Sequence, residues 1–461
     1  MRPQNESARA RLSQILRVRG WSSASSLAQT LGISIPTLHR ILQEHETNIV
    51  RTGVTKYARY AWRRALRGTY DPIPVYAIDA HGQGQALDFL HLVEPQGSVF
   101  NLVPSAWPID REHLSGAWEG LPYPLYDMRP QGYLGRKFAR AFSTDLDVPT
   151  DPEAWSDDHI VYALSRRGND TPGNLIIGYH AYQQWLENIA HPETIIPPDQ
   201  LPNHYAALAT EAISLSGSGS SAGGEFPKFT AQRALPGSTT PHVIVKFSGA
   251  DASLPVQRWA DLLVCEHLAL ETLKKNRHLK AASSRIIQSA GRTFLEVERF
   301  DRCGTHGRLP LISLTSLDAV FSGKGSGDWP TLVQPLIKNG LLPETLLLEV
   351  ETLWWFGRLI ANNDMHPGNL SFQLIMGEPL HLSPAYDMLP MLYAPLSGGE
   401  IPPRQFAPTL PHPHQTQAWE AAYPIALDFW QSAASDDRIS PSFRKICQEN
   451  LQQLHRLSTR P

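Results

Sequence analysis

The chain has 461 residues, 42% of them hydrophobic, and a formal net charge of −3, enough for two or three domains with a large core. No run of about 18 apolar residues is present, and Met1-Arg2-Pro3-Gln4-Asn5-Glu6-Ser7 has no apolar segment, which argues against a transmembrane helix or a secretory leader. Cys265, Cys303 and Cys447 are far apart and show no C-x-x-C pairing, which argues against a disulfide framework or a zinc site and fits a reducing cytoplasm.

The charge is unevenly spread. Residues 1–68 carry 12 Lys and Arg against 3 acids, or +9, while the remainder carries 29 against 41, or −12. A basic module joined to an acidic body predicts that the module alone meets nucleic acid. Within it, residues 7–19 form an amphipathic segment with Leu12, Ile15 and Leu16 on one side. Ser22 to Ser26 caps a second helix, Leu27–Leu31. Gly32-Ile33-Ser34 is a tight turn, and Ile35 to Leu42 starts a third helix with Pro36 in its first turn, where a missing N–H costs little. Helix, short glycine turn and helix make the helix-turn-helix pattern. The third helix is expected to bury Leu38, Ile41 and Leu42 and to turn Thr37, His39 and Arg40 outward, toward DNA. Residues 49–60 read as a β-hairpin with Gly53 near its tip, a wing on which Arg51, Lys56 and Arg59 meet phosphates. A small helical interaction domain with solvated charges is the plainer alternative.

From Tyr70 to about Ile213 no chemical constellation stands out. Residues 75–78 and 87–90 read as short strands, Tyr126 to Gly132 as a turn, Arg136 to Arg140 as a basic helix, and 195–204 as a loop. Asp127 and Arg129 read as a structural pair.

Ser214 to Lys228 is rich in glycine and serine. Glycines let backbone N–H groups approach an anion, and hydroxyls add donors; the same composition suits a flexible linker. The right flank favours a phosphate-facing loop, because Phe229-Thr230-Ala231, a Pro236-Gly237 turn and the strand His242–Phe247 follow directly. Lys246, alternating with apolar residues on a strand downstream of a glycine-rich loop, matches the arrangement by which kinases pair phosphates; a lysine snorkelling from an edge strand is the alternative. Residues 259–275 are helical. Glu266 lies there among Leu262, Leu263, Cys265 and Leu270 and is the best candidate to pair with Lys246, a surface acid being the rival assignment.

A helical run, residues 342–359, leads into Asn362-Asn363-Asp364-Met365-His366-Pro367-Gly368-Asn369. Kinases space a catalytic Asp and a metal-binding Asn in this way and add a second Asp downstream. One carboxylate orients and deprotonates a hydroxyl, while an amide oxygen and a second carboxylate hold Mg²⁺ on ATP. Residues 370–376 and 380–382 read as a hairpin around Gly377, which returns Asp387 to the side of Asn369.

These pieces, in this order, resemble the HipA-like family of bacterial serine/threonine kinases, known as toxins of toxin–antitoxin systems. The carrying residues are Ser221-Ala222-Gly223-Gly224-Glu225-Phe226-Pro227-Lys228, Val245-Lys246, Val297-Glu298-Arg299-Phe300-Asp301-Arg302, Asn363-Asp364-Met365-His366 with Asn369, and Tyr386-Asp387. They span about residues 70–455, and the basic module ahead of them is similar to the YjjJ-type (HipH) subgroup with a fused helix-turn-helix. The resemblance implies that Asp364 is the catalytic base, that Asn369 and Asp387 hold Mg²⁺, and that Lys246 contacts ATP phosphates. It further implies that Ser220, Ser221, Gly223, Gly224 and Lys228 belong to the loop covering them, with Glu266 and His366 completing the nucleotide site. Ser221, or its neighbour Ser220, is the implied autophosphorylation site, whose phosphate ejects the loop and switches the kinase off. Family members often act on aminoacyl-tRNA synthetases, and a separate antitoxin often supplies the DNA-binding part. Many have Lys where this chain has Gly368, which removes a positive charge near the γ-phosphate.

The expectation is an α+β chain: a winged helix-turn-helix over 1–68, then a two-lobed HipA-like, protein-kinase-like domain. Its N-terminal lobe, with a HipA-type N-terminal subdomain, covers 69–330 and its helical catalytic lobe 331–461. The expected function is that of a cytoplasmic ATP- and Mg²⁺-dependent serine/threonine kinase toxin that also binds DNA, with a protein substrate, a possible antitoxin and no membrane partner. The rivals are a metal-dependent DNA-cleaving toxin built on Asp364, Asn369 and Asp387, and a transcription regulator with a degenerate kinase fold.

Overall fold

The computed structural model describes residues 3–54, 57–103, 107–192, 195–216 and 225–458. Lys56, Ser220, Ser221, Gly223 and Gly224 therefore lie outside the described residues. The chain mixes helices with antiparallel sheets and divides into two compact units. The first comprises 1–78, 83–129 and 154–190; the second comprises 79–82, 130–153 and 191–461.

The first unit opens with α1 (Pro3–Arg19), β1 (Ser22–Ser23), α2 (Ala24–Leu31), α3 (Ile35–Glu44), β2 (Ile49–Thr52) and β3 (Arg59–Trp62), the strands lying in the order β1-β3-β2. Apolar spacing decides the packing: Leu12 and Leu16, Leu27 and Leu31, and Leu38, Ile41 and Leu42 close one core with Tyr60 and Trp62. Ser23 caps α2 by accepting the Ser26 N–H, and Ser34 caps α3 by accepting the Thr37 N–H. Gly32 ends α2 at φ +67°, a left-handed conformation that glycine adopts without strain. His39, Arg40, Arg51 and Arg59 are exposed, whereas Thr37 is half-buried. Thr37 departs from the outward placement expected because its hydroxyl lies 2.9 Å from that of the cap Ser34.

Next come β4 (Ile73–Ile78), β5 (Gly84–Leu92), β6 (Ser98–Val99), β7 (Ala117–Trp118) and α4 (Tyr123–Asp127). The chain then forms α5 (Gly132–Leu146), which belongs to the second unit, before α6 (Asp157–Arg167), β8 (Leu175–Ile177) and α7 (Tyr179–Ala190) complete the first. The five strands pair antiparallel in the order β7-β6-β5-β4-β8, with Ile78, Ile176, Ala181 and Trp185 forming a local core. The Arg129 guanidinium sits 4.4 Å over the Tyr126 ring.

The second unit contains α8 (Leu201–Ser216), so the stretch expected to be loop up to 204 is already helical from Leu201. β9 (Lys228–Gln232), β10 (His242–Phe247), α9 (Leu254–Lys274), β11 (Ser284–Ser289) and β12 (Arg292–Glu298) follow. The strands form an antiparallel sheet in the order β11-β12-β10-β9. Alternation sorts its faces: Val243, Val245 and Phe247 join Phe229 and Phe294 in a core with Tyr205 and Ala209 of α8. Lys246 therefore falls on the other face. A small hairpin, β13 (Arg302–Cys303) and β14 (Gly307–Arg308), leads to β15 (Leu311–Ser313), α10 (Leu314–Phe321), α11 (Trp329–Lys338) and α12 (Leu346–Leu359). β16 (Ser371–Gln373) and β17 (His381–Leu382) pair with β15 in the order β15-β16-β17, and α13 (Thr416–Ser435) and α14 (Pro441–Ser458) end the chain. β16 is shorter than the strand expected over 370–376. Among the described residues no helix is long and apolar enough to cross a membrane.

Candidate active site

Lys246 organises the site. Its ammonium donates to both Glu266 carboxylate oxygens, at 2.7 and 2.8 Å, and also to Asp387. The strand period places Lys246 on the face of the sheet met by α9. On that helix Glu266 is fully buried beside Leu262, Leu263, Cys265, Ala269 and Leu270. Two sequence candidates, Glu266 and the distant Asp387, thus meet at the Lys246 ammonium. Burial alone would depress the Lys246 pKa, but Asp387 and Glu266 outweigh it and push it well above the usual lysine value. Burial, reinforced by the Asp387 charge, lifts Glu266 to about 7 against the opposing pull of Lys246. Burial would also raise Asp387, yet Lys246 and then Lys228 overcome it and hold that carboxyl at about 2. Asp387 is thus a dependable anion at neutral pH.

Lys228 stands opposite Lys246 in the β9–β10 register, on the same face, and its charge lowers the pKa of Asp387, Glu266 and Asp364. Phe226 packs edge-on against Trp259, with ring centroids 4.6 Å apart, and lies 5.9 Å from the Lys246 ammonium.

The loop after α12 carries Asp364. Ala361 and Asp387 both adopt positive φ, +62° and +55°, conformations that cost a non-glycine residue energy and cluster at functional sites. Buried Asn362 ties the two acidic loops together. Its amide donates to the Asp387 carbonyl at 3.2 Å, and its side-chain oxygen accepts the Asp364 N–H at 3.0 Å. Asn369 donates its amide to the Asp364 carbonyl at 3.0 Å, which leaves the amide oxygen as an acceptor. The Asp364 carboxyl is solvent-accessible. Partial desolvation first, and the like charges of Asp387 and Glu225 after it, raise its pKa; His366 and Lys228 oppose them.

The backbone between Asp364 and Asn369 is gripped from several sides. Trp329 donates its indole N–H to the His366 carbonyl at 3.1 Å, and Tyr386 donates its hydroxyl to the Gly368 carbonyl at 2.8 Å. Gly368 donates its N–H to His366 Nδ1 at 3.1 Å, so the ring folds over residue 368. A Cβ there would sit 2.9 Å from two ring atoms, which makes glycine at 368 and this His366 conformation mutually dependent. Met365 is buried against Gly357, where a Cβ would lie 2.2 Å from its sulfur.

Asp364, Asn369, Asp387, Lys246, Glu266, Lys228 and His366 therefore lie in one region of the second unit. Thr37, His39, Arg40, Arg51 and Arg59 lie in the first. Sequence reasoning gave no role to Asn362, Trp329 or Tyr386. Asn362 was the most legible of them: an asparagine two residues before a catalytic-type aspartate can cap that residue's own N–H.

The oxygen donors suit a small hard cation. The Asp387 carboxylate and the Asn369 amide oxygen are the ligand types Mg²⁺ takes alongside phosphate oxygens, and Lys246 and Lys228 are the cations that such phosphates would meet.

Comparison with known proteins places the chain in a family. Residues 69–186 match the family described as YjjJ-like toxin, middle domain, and residues 220–456 match the HipA-like C-terminal domain. Toxin YjjJ of Escherichia coli (strain K12) is 39% identical over 435 residues, 94% of this chain and 95% of that protein. Among solved structures, the Shewanella oneidensis MR-1 toxin–antitoxin complex of HipA, HipB and operator DNA aligns at a TM-score of 0.45 and 15% identity, covering 86% of this chain and 96% of that one. The Helicobacter pylori proinflammatory kinase CtkA aligns at 0.33 and 12%, covering 51% and 93%. The chain belongs to the HipA-like family, in the group that carries the YjjJ-like middle domain.

Proposed function

We propose that this protein is an ATP- and Mg²⁺-dependent serine/threonine kinase of HipA-like type, acting as a cytoplasmic toxin, with a winged helix-turn-helix over residues 1–68 that binds DNA. The observation that carries the kinase reading is the buried Lys246–Glu266 pair, with Asp387 on the same ammonium and near enough to Asp364 to raise its pKa. A metal-dependent nuclease needs acids, but not a lysine held by a buried helix glutamate.

In this reading Asp364 accepts the proton of the acceptor hydroxyl, and its raised pKa improves it as a base. Asn362 and Asn369 hold the Asp364 backbone in place. Asp387 and the Asn369 oxygen hold Mg²⁺, which would neutralise charge on the transferring phosphoryl group. Lys246, engaged by Asp387 here, and Lys228 take the phosphates. Ser221, with Ser220 beside it, is the proposed autophosphorylation site within the loop of Ser220, Ser221, Gly223 and Gly224. The substrate is a protein, with aminoacyl-tRNA synthetases the class suggested by the family, and an antitoxin is a possible partner. DNA contact is assigned to His39 and Arg40 on α3, with Thr37 beside them, to Arg51 and Arg59 on β2 and β3, and to Lys56.

The test is incubation of the full chain with ATP and Mg²⁺, followed by intact mass, with supercoiled plasmid in a parallel tube. A gain of phosphate supports the kinase. Cleaved plasmid without phosphate gain supports the nuclease, and nucleotide binding with neither supports the degenerate regulator.

A further inference from the structure

The basic helix α5 has no role in the chemistry described above, yet it reaches the start of β9. Arg136 Nη2 lies 2.5 Å from Glu225 Oε2, and a Cβ on Gly132, the first residue of α5, would sit 2.9 Å from Glu225 Oε1. The preceding Gln131 offers no side-chain cap, so the Glu225 carboxylate stands at a helix start where partial positive charge favours an anion. Three residues further on is Lys228, opposite Lys246. Glu225 is also close enough to Asp364 to raise its pKa. This carboxylate is therefore an anion beside a site that must receive the most highly charged part of a nucleotide.

We propose that Arg136 is a positioning residue for nucleotide binding: by pairing with Glu225 it neutralises a carboxylate beside Asp364 and anchors the start of β9, and with it Lys228, to α5. The inference rests on the nucleotide reading of the site. It requires that the damage done by losing Arg136 come largely from the bare charge left on Glu225, which a purely structural role does not require. The two side chains are 28% and 38% exposed, so variants at either position are expected to fold.

The experiment is a calorimetric titration of the full chain and of Arg136→Ala, Glu225→Gln and the double variant with MgATP at low and moderate salt. Arg136→Ala is expected to bind about tenfold more weakly at low salt, through an unscreened like charge. Glu225→Gln and the double variant are expected within about threefold of wild type. A double variant no better than Arg136→Ala, or an Arg136→Ala protein that binds like wild type, would overturn the inference. Amide exchange over residues 225–232 is followed in parallel. If wild type binds no MgATP, the nucleotide reading fails by itself; unchanged exchange in Arg136→Ala then overturns the anchor as well, and faster exchange retains it.

Discussion

Replacing Lys246 by Met keeps the length of the side chain and removes the ammonium that donates to both Glu266 and Asp387. The Lys246 and Glu266 side chains are 9% and 1% exposed, whereas Asp387 retains 30% exposure. Removing one partner of a buried pair costs about 3–5 kcal/mol, and in a unit of this size that is a fall in Tm on the order of 10 °C. Most of the penalty falls on Glu266, because Asp387 keeps contact with water. The loss should depend on pH. Glu266 already titrates near 7 with Lys246 in place, above the unfolded glutamate value of about 4.3. A carboxyl raised on folding holds its proton more tightly in the native state. Its favourable contribution is therefore complete below the unfolded value and is lost as pH rises through the folded one. Without Lys246 the folded value climbs further, so Lys246→Met should lose less stability near pH 5, where Glu266 stays protonated and only the ion pair with Asp387 is forfeited, than near pH 8, where Glu266 is also left without its cation. Scanning calorimetry at both values measures this. A variant whose Tm stays within about 2 °C of wild type at pH 8, or whose deficit is larger at pH 5, would refute the buried triad.

Gly357→Ala should drive the Met365 sulfur from its seat, lower stability by roughly 1–3 kcal/mol and reduce phosphoryl transfer, because Met365 adjoins Asp364; thermal unfolding and turnover check it. Arg233→Met should cost about 3–5 kcal/mol in denaturant titrations, since Arg233 bridges Glu296 and Glu298 in the core behind β10. In full-length DNA-binding titrations, Arg59→Ala should weaken all sequences alike and flatten the plot of log affinity against log salt by about 0.9. Arg40→Ala should instead relax sequence preference, and equal effects of both would contradict the assignment of α3 as the reading helix.

The elements carried by strong periodicity were legible. Leu12, Leu16, Leu38 and Ile41 announced their helices by spacing, and the alternation of residues 242–247 marked both the strand and the face on which Lys246 lies. The approach of Glu266 to Lys246 was readable because an acid inside an apolar helical stretch needs a cation. Contacts across long sequence separations were not readable. Nothing local in Trp329 signals that its indole grips the His366 carbonyl, and nothing in Arg136 signals Glu225. Cys265 and Cys447, separated by 182 positions in the chain, are both buried and lie near enough for Cys447 to reinforce the upward push of burial on the Cys265 thiol. The helix start at Leu201 was obscured by Pro197, Pro198 and Pro202, although proline is well tolerated in a first turn.

The central claim is phosphoryl transfer from ATP with Asp364 as the base, and the most direct measurement follows the γ-phosphate of labelled ATP onto the full chain in a single turnover, comparing wild type with Asp364→Asn. The account predicts transfer by wild type, a loss of about 10²-fold or more in the variant, and unchanged thermal stability and DNA affinity. Transfer by Asp364→Asn at close to the wild-type rate would contradict it.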